Sequence, residues 1–336
     1  MFNFHDIVAF QLETDDAEAA AFFRAEYGVY VSTDLPAHIP VVQLRFRRGV
    51  RHKAPANWVR HTHKVLARWA YRIHLGDDQA VIEAVGNRWA IPMIHHMLVH
   101  PSLRYLAARR GVLMLHAGAV AGSGHSVLFT GHGGVGKTTT VSVLLVHGGK
   151  DIGLHADDYV FVTSEGATYS YLTRSHLYWP LLSWVPELRK RLRAVEKMRL
   201  WVLGNIRRWS HDRIKWPVRV EQEKLWPGKP KMRRAKLSAL VWLGRAEGER
   251  AALQQFSPAP EDIAALLEMN FHEARHFLAL LQAQDETYAS QIAAWRAREK
   301  ELLERLVTHV PSYRLTIPRE GKDTSFLPDL LRLVGQ

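Results

Sequence analysis

Cysteine is absent from the 336 residues. That excludes a disulfide framework, thiolate zinc sites, iron–sulfur ligation by cysteine and a cysteine nucleophile. Long apolar runs are also lacking, and none approaches the roughly 18 residues that a membrane-spanning helix needs. The opening Met1-Phe2-Asn3-Phe4-His5-Asp6 has neither the basic stretch nor the apolar stretch of a secretory signal. The expectation is a cytoplasmic protein. There is no repeat at a period of 20–50 residues and no low-complexity tract. With 47% hydrophobic and 23% charged residues, the chain is too apolar for disorder.

What is present is a regional excess of positive charge. The net charge is +12. Between Glu187 and Lys236 there are 17 Lys and Arg against 5 Asp and Glu, which accounts for all of it. The basicity therefore belongs to one segment and that segment's partner. Six of the eleven tryptophans also fall between Trp179 and Trp226.

The chain length fits two domains. Residues 1–110 read as an N-terminal mixed α/β module. Val42, Leu44 and Phe46 alternate with polar residues, as in a half-buried strand, and so do Tyr71, Ile73 and Leu75. Gly76-Asp77-Asp78 then turns the chain into Ala80–Val85, a hairpin. Asp15–Tyr27 reads as a helix with Ala19, Ala20, Phe22 and Phe23 inward, and 91–110 as a helical stretch interrupted at Pro101. Residues 111–336 read as one further domain, with a basic, Trp-rich insertion at 170–236. After the insertion the pattern predicts a strand at Ala239–Leu243, a helix from Glu261 to Gln284, a second helix from Tyr288 to Leu306, and a closing strand at Tyr313–Ile317. The stripe Ile292, Trp295, Leu302, Leu303 and Leu306 marks the inner face of that second helix.

The strongest signal is Gly131-His132-Gly133-Gly134-Val135-Gly136-Lys137-Thr138, which fits G-x-x-x-x-G-K-[ST]. A short strand, Ser126–Thr130, precedes it, and a helix from Lys137 to His147 follows, stopped by Gly148-Gly149. Glycines let backbone N–H groups close around phosphate oxygens, and the helix N-terminus favours the anion. Lys137 is placed to reach the terminal phosphates, and the Thr138 hydroxyl to ligate Mg²⁺. With Thr139 in the first helical turn, Gly131 to Thr139 is the expected nucleotide-binding set. Asp157-Asp158 follows Lys137 by 20 residues, on a second strand expected beside the first. One carboxylate can hold the metal and the other can take a proton from an attacking hydroxyl. The sequence does not say which does which.

Upstream, Leu115-His116-Ala117 sits in an apolar run, with His116 21 residues before Lys137. A histidine in such a run is more often a satisfied core residue than a functional one. Taken in order, the His116 segment, the glycine loop and the Asp pair resemble the HPr kinase/phosphorylase family, whose fold is related to ATP-dependent phosphoenolpyruvate carboxykinase. The resemblance covers about 111–165. It implies Mg²⁺-dependent transfer of a phosphoryl group to a serine-type hydroxyl, from ATP, GTP or another phosphate donor. Asp157 and Asp158 would serve in metal binding and base catalysis, and His116 would sit by the phosphates. Self-assembly into a homo-oligomer is part of the same expectation. The glycine-rich R-G-x-G segment of HPr kinases is not found after the Asp pair, and the basic segment stands in its place. The likeness is therefore to diverged relatives acting on modified peptides or small hydroxyl compounds. Arg174, some sixteen residues after the Asp pair, is a candidate to steady the transferring phosphoryl group.

For the basic segment, Leu188, Leu192, Val195, Trp201 and Val202 approximate one helical face. The segment fits an acidic peptide or protein substrate, an anionic membrane surface, or a solvated basic face over an aromatic core. Nucleic acid is disfavoured, because no recognised nucleic-acid-binding signature accompanies the tryptophans. Among His95, His96 and His100, only the last two share a helical face, and without a third ligand they do not make a metal site. The expected fold is mixed α/β, with a P-loop core of the HPr-kinase and carboxykinase kind, an N-terminal β-containing module and helical additions. The expected function is a kinase acting on a hydroxyl. The alternative is a nucleotide-gated switch whose basic segment binds an acidic partner.

Overall fold

The computed structural model describes every residue except 35, 51–52, 64, 212–215, 249, 320–322 and 336. The fold is mixed α/β and divides into two compact units. The first unit is Met1–Met114 together with Ile263–Arg305, and the second is Leu115–Asp262 together with Leu306–Gln336. The segment Ile263–Arg305 thus rejoins the N-terminal unit, a return that no local pattern in 111–336 announces.

The strands of the first unit are β1 (Phe2–Phe4), β2 (Val8–Thr14), β3 (Val41–Arg48), β4 (Val59–His63), β5 (Ala67–Leu75) and β6 (Gln79–Gly86), in the sheet order β1-β2-β3-β6-β5-β4. Val42, Leu44 and Phe46 of β3 are all buried as expected, but Gln43 between them is buried too. β5 and β6 form the expected antiparallel hairpin. Helix α1 (Ala17–Tyr27) starts one residue after Asp16, whose carboxylate caps it by accepting from the Ala19 N–H at 2.7 Å. Ala19 and Phe23 point inward as expected, but Ala20 is exposed and Glu26 and Tyr27 are buried instead. The chain around Pro101 is not interrupted. Helix α2 (Ala90–Ile94) runs through a π-helical turn, His95–Val99, into α3 (His100–Arg109). Pro101 supplies no N–H for an α-type bond, and the wider turn ahead of it absorbs that loss.

Because of that turn, the histidines that meet are His95 and His100, five apart, with their Nε2 atoms 3.1 Å from each other. His96 also approaches His100, as expected, with ring centroids 6.1 Å apart. No group of three His, Cys, Asp or Glu suited to a metal occurs among the described residues.

The expected single helix 261–284 is two helices, α9 (Pro260–Glu273) and α10 (Arg275–Gln284), with Ala274 between them. The next helix, α11, spans Tyr288–His309. Buried charge locks α3 to these helices. Arg104 and Glu299 are both fully buried, with Arg104 Nε donating to Glu299 Oε1 at 2.7 Å. Trp295 Nε1 donates to the same oxygen, and the Asn270 carbonyl accepts from the guanidinium. The guanidinium plane lies over Phe271 and Trp295.

The second unit holds an eight-stranded mixed sheet. Its strands are β7 (Val112–Gly122), β8 (His125–Thr130), β9 (Gly153–Ala156), β10 (Tyr159–Thr163), β11 (Ala167–Tyr171), β14 (Arg234–Ala246), β15 (Ala252–Phe256) and β16 (Ser312–Pro318), while β12 (Ser175–Leu177) and β13 (Val218–Val220) form a separate ribbon. The order is β10-β11-β9-β7-β8-β14-β16-β15. Ser123 and Gly124 both take positive φ, so β7 and β8 are joined by a two-residue turn. That hairpin wedges β7 between β8 and β9, so the strand leading to the Asp pair does not lie directly beside β8. Both run antiparallel to β7, however, so their C-terminal ends are on the same side of the sheet.

Helices of this unit are α4 (Lys137–His147), α5 (Leu181–Trp184), α6 (Pro186–Arg191), α7 (Ala194–Trp209), α8 (Gln222–Leu225) and α12 (Leu327–Gly335). The helical face expected across 188–202 splits between α6 and α7. Leu188 and Leu192 are buried, but Val195, Trp201 and Val202 face solvent. No helix among the described residues is long and apolar enough to cross a membrane.

Candidate functional site

The loop after β8 is shaped by where glycine is required. Gly131 has φ +146°, and a Cβ there would lie 2.9 Å from the Leu243 carbonyl oxygen on β14. Gly134 and Gly136 have φ of +84° and +123°. Gly133 is different, because it has no positive φ and a Cβ there would meet open space. The protein itself does not demand a glycine at 133. His132, Gly133 and Gly134 are exposed, whereas Val135 and Lys137 are buried.

Helix α4 begins at Lys137, so the loop delivers its chain straight to a helix N-terminus, where first-turn amides have no intrahelical acceptors. Lys137 Nζ donates to the Gly131 carbonyl at 2.7 Å and lies 3.4 Å from that of His132, closing the loop on itself. Thr138 and Thr139 are half-buried in the first turn. Arg245, from β14, braces the loop from behind, with Nε donating to the Val135 carbonyl at 2.9 Å and Nη1 to the Pro318 carbonyl at 2.8 Å.

Asp157 and Asp158 occupy the bend between β9 and β10, not the body of a strand. The bend sends the two carboxylates to different partners. Asp157 accepts from the hydroxyls of Thr138 and Ser175 and from the His176 backbone N–H. Burial, and then the charge of Asp158, push its carboxyl up to about 6, against the pull of those three donors. Its residue surface is not fully closed off, yet the carboxyl itself is ringed by protein atoms.

Asp158 Oδ1 lies 3.1 Å from His116 Nε2. His116 comes from β7, two residues before Gly118, whose missing Cβ leaves room for Val141 and Lys137 of α4. Strand β7 is further tied to the bend by the Ala117 N–H, which donates to the Asp158 carbonyl at 3.1 Å. The structure therefore brings Lys137, Thr138, Asp157, Asp158 and His116 into one site. His116 is set against Asp158.

Arg174 is half-buried at the residue before β12, and the groups of that segment on Asp157 are Ser175 and His176. Two arginines from further on share a neighbour, Tyr178, with the Asp pair. Tyr178 feels Asp158 and Asp157, which with burial push its hydroxyl up, and Arg207 and Arg219, which pull it down. Arg219 lies across the β12–β13 ribbon from His176. The Tyr178 ring also lines a cleft of about 270 Å³, with Trp179, Leu203, Gly204, Arg207 and Trp216 among its walls. Ser175, His176, Tyr178, Arg207, Arg219 and Arg245 carry no motif, and their roles depend on strand pairings that no local signal in the sequence encodes. A scan against protein-family models finds no match to this chain, and a search of curated proteins finds none either.

Proposed function

We propose that the protein is a Mg²⁺-dependent kinase of the HPr-kinase-like kind, transferring the terminal phosphoryl group of ATP to a hydroxyl. The observation that carries this reading is the division of the Asp pair, with Asp157 on the Thr138 hydroxyl and Asp158 on His116. A nucleotide switch needs a carboxylate only on the Thr138 side. The second carboxylate, held by a histidine at the same sheet edge, supports an acceptor whose proton must go somewhere.

The residues divide the work. The loop from Gly131 to Gly136 and the first turn of α4 cradle the polyphosphate, with Gly133 free of any demand from the protein itself. Lys137 exchanges its loop carbonyls for phosphate oxygens. Thr138 and Asp157 fit a hard divalent cation: both offer oxygen, they are within hydrogen-bond reach of each other, and a carboxylate burdened by burial gains from a cation beside it. Mg²⁺ held there would neutralise charge on the phosphates.

Asp158 accepts the hydroxyl proton of the acceptor while His116 fixes its orientation. The acceptor oxygen forms the new O–P bond, the bond from phosphorus to the bridging oxygen breaks, and ADP leaves. The Tyr178 cleft, with its arginine wall, supports an acidic peptide, an acidic protein or a small anionic hydroxyl compound as acceptor.

The test is mass spectrometry of candidate acceptors after incubation with ATP and Mg²⁺. Lys137→Ala should abolish transfer. Asp158→Asn should cut it by about 10²-fold or more while leaving ATP affinity nearly intact. Wild-type turnover in either variant contradicts the mechanism.

A further inference from the structure

Helix α7 wears its apolar residues on the outside. Leu200 alone is fully buried among its sixteen residues. Val195, Met198, Val202 and Trp209 follow the i, i+3, i+7, i+14 spacing of one helix face, and that face is turned to solvent. Their exposures are 45%, 60%, 42% and 79%, and the neighbouring Trp201 is 57% exposed. The opposite face, with Leu203, Gly204 and Arg207, lines the Tyr178 cleft, and Gly204 is where α7 packs closely on Trp179. The outward stripe is therefore not needed by the fold.

We infer that this face of α7 is a docking surface for an anionic lipid bilayer. Three features select that occupant. Exposed Arg199 and Arg208 flank the stripe, and α7 as a whole carries four Lys and Arg against Glu196 alone. Such a rim attracts anionic headgroups. Two tryptophans, Trp201 and Trp209, sit on or beside the stripe, and tryptophan favours the boundary between headgroups and acyl chains. Finally, the apolar residues stand on a convex helix surface about 24 Å long, and a deformable interface can enclose a ridge that a rigid partner would need a matching groove to take.

A second copy of the chain fits this face less well, because apposing two such stripes would bring two basic rims together. The contact is peripheral: α7 lies in the plane of the interface with its stripe among the upper acyl carbons. The inference does not depend on the kinase reading.

The test uses the full-length protein and sedimentation with vesicles of phosphatidylcholine alone or with 30% phosphatidylglycerol, alongside tryptophan quenching by brominated lipids. Anionic vesicles should bind at least about ten-fold more tightly than neutral ones, and high salt should weaken the binding. The paired substitution Met198→Ser with Trp209→Ser should lower the affinity by about ten-fold or more, with far-UV circular dichroism and ATP binding unchanged. Arg199→Glu with Arg208→Glu should lower it as well. The inference is overturned if anionic vesicles fail to bind at low salt, or if the Met198 and Trp209 pair binds as well as the natural protein. It is also overturned if that pair instead dissolves a dimer seen in sedimentation velocity, or releases an acidic peptide, with no vesicle binding in either case.

Discussion

Replacing Asp157 by Asn isolates the electrostatic strain of the site. The Asp157 carboxyl is pushed up to about 6 from an ordinary value near 3.8, chiefly by burial and then by Asp158. Between those two values the folded state holds a proton that the unfolded state has released. The free energy of unfolding therefore falls as pH rises from about 4 to about 6, and above that window the whole penalty is in force. At 1.36 kcal/mol per pH unit the ceiling is about 3 kcal/mol, and residual water access and local relaxation reduce it to about 1–2 kcal/mol. Asn keeps an oxygen for the Thr138 and Ser175 hydroxyls but carries no charge. In the absence of nucleotide and metal, Asp157→Asn should raise Tm by about 2–8 °C at pH 8, taking about 2–4 °C per kcal/mol for a unit of this size. The gain should be roughly halved at pH 5 and nearly gone by pH 4. Millimolar Mg²⁺ with ATP should then stabilise the natural protein more than the variant. Differential scanning fluorimetry across pH reads all of this. A gain that ignores pH, or a variant less stable than the natural protein at pH 8, would refute the account of the strained carboxyl.

Other sites give sharper yes-or-no outcomes. Glu299→Leu strands the buried Arg104 guanidinium and should cost about 3–5 kcal/mol in urea unfolding, and adding Arg104→Met should recover most of it, because it removes the uncompensated charge. A Cβ at Gly153 would fall 2.0 Å from the Pro230 carbonyl oxygen, so Gly153→Ala should lower stability by more than about 2 kcal/mol or leave the chain insoluble. Gly136→Ala meets both a φ of +123° and the Arg245 guanidinium at 3.3 Å, and calorimetry should show at least a ten-fold loss of ATP affinity. His116→Gln should lower the rate of transfer more than ATP affinity, because His116 touches Asp158, the proposed base.

The parts of the fold that sequence made legible are those whose cause is local. The β5–β6 hairpin and the glycine stop after α4 each depend on a few adjacent residues, and each stands where the pattern puts it. What local reasoning misplaced depends on partners far away in the chain. An i, i+4 rule brings His96 beside His100, and so it does, but the wider turn before Pro101 also delivers His95, which makes the closer contact. An apolar face at helical spacing reads as core, but in α7 nothing in the described fold covers it. The segment 263–305 returns to the first unit through Arg104 and Glu299, 195 residues apart.

The Asp pair shows where sequence reasoning reaches its end. Two adjacent carboxylates are equivalent on paper, and neither spacing nor composition can rank them. Successive side chains leave an extended chain in opposite directions, so a bend at the end of β9 sends neighbours to different surroundings. One side offers hydroxyls from α4 and β12, and the other offers an imidazole from β7. Asp157 therefore bears the cost of burial and gains most from a cation, while Asp158, still partly open to solvent, keeps room for an acceptor's proton. If this assignment holds, Asp157→Asn should raise the Mg²⁺ concentration needed for half-maximal transfer. Asp158→Asn should leave that concentration nearly unchanged and lower the maximal rate. The opposite pattern in a Mg²⁺ titration would exchange the two roles while leaving the site itself in place.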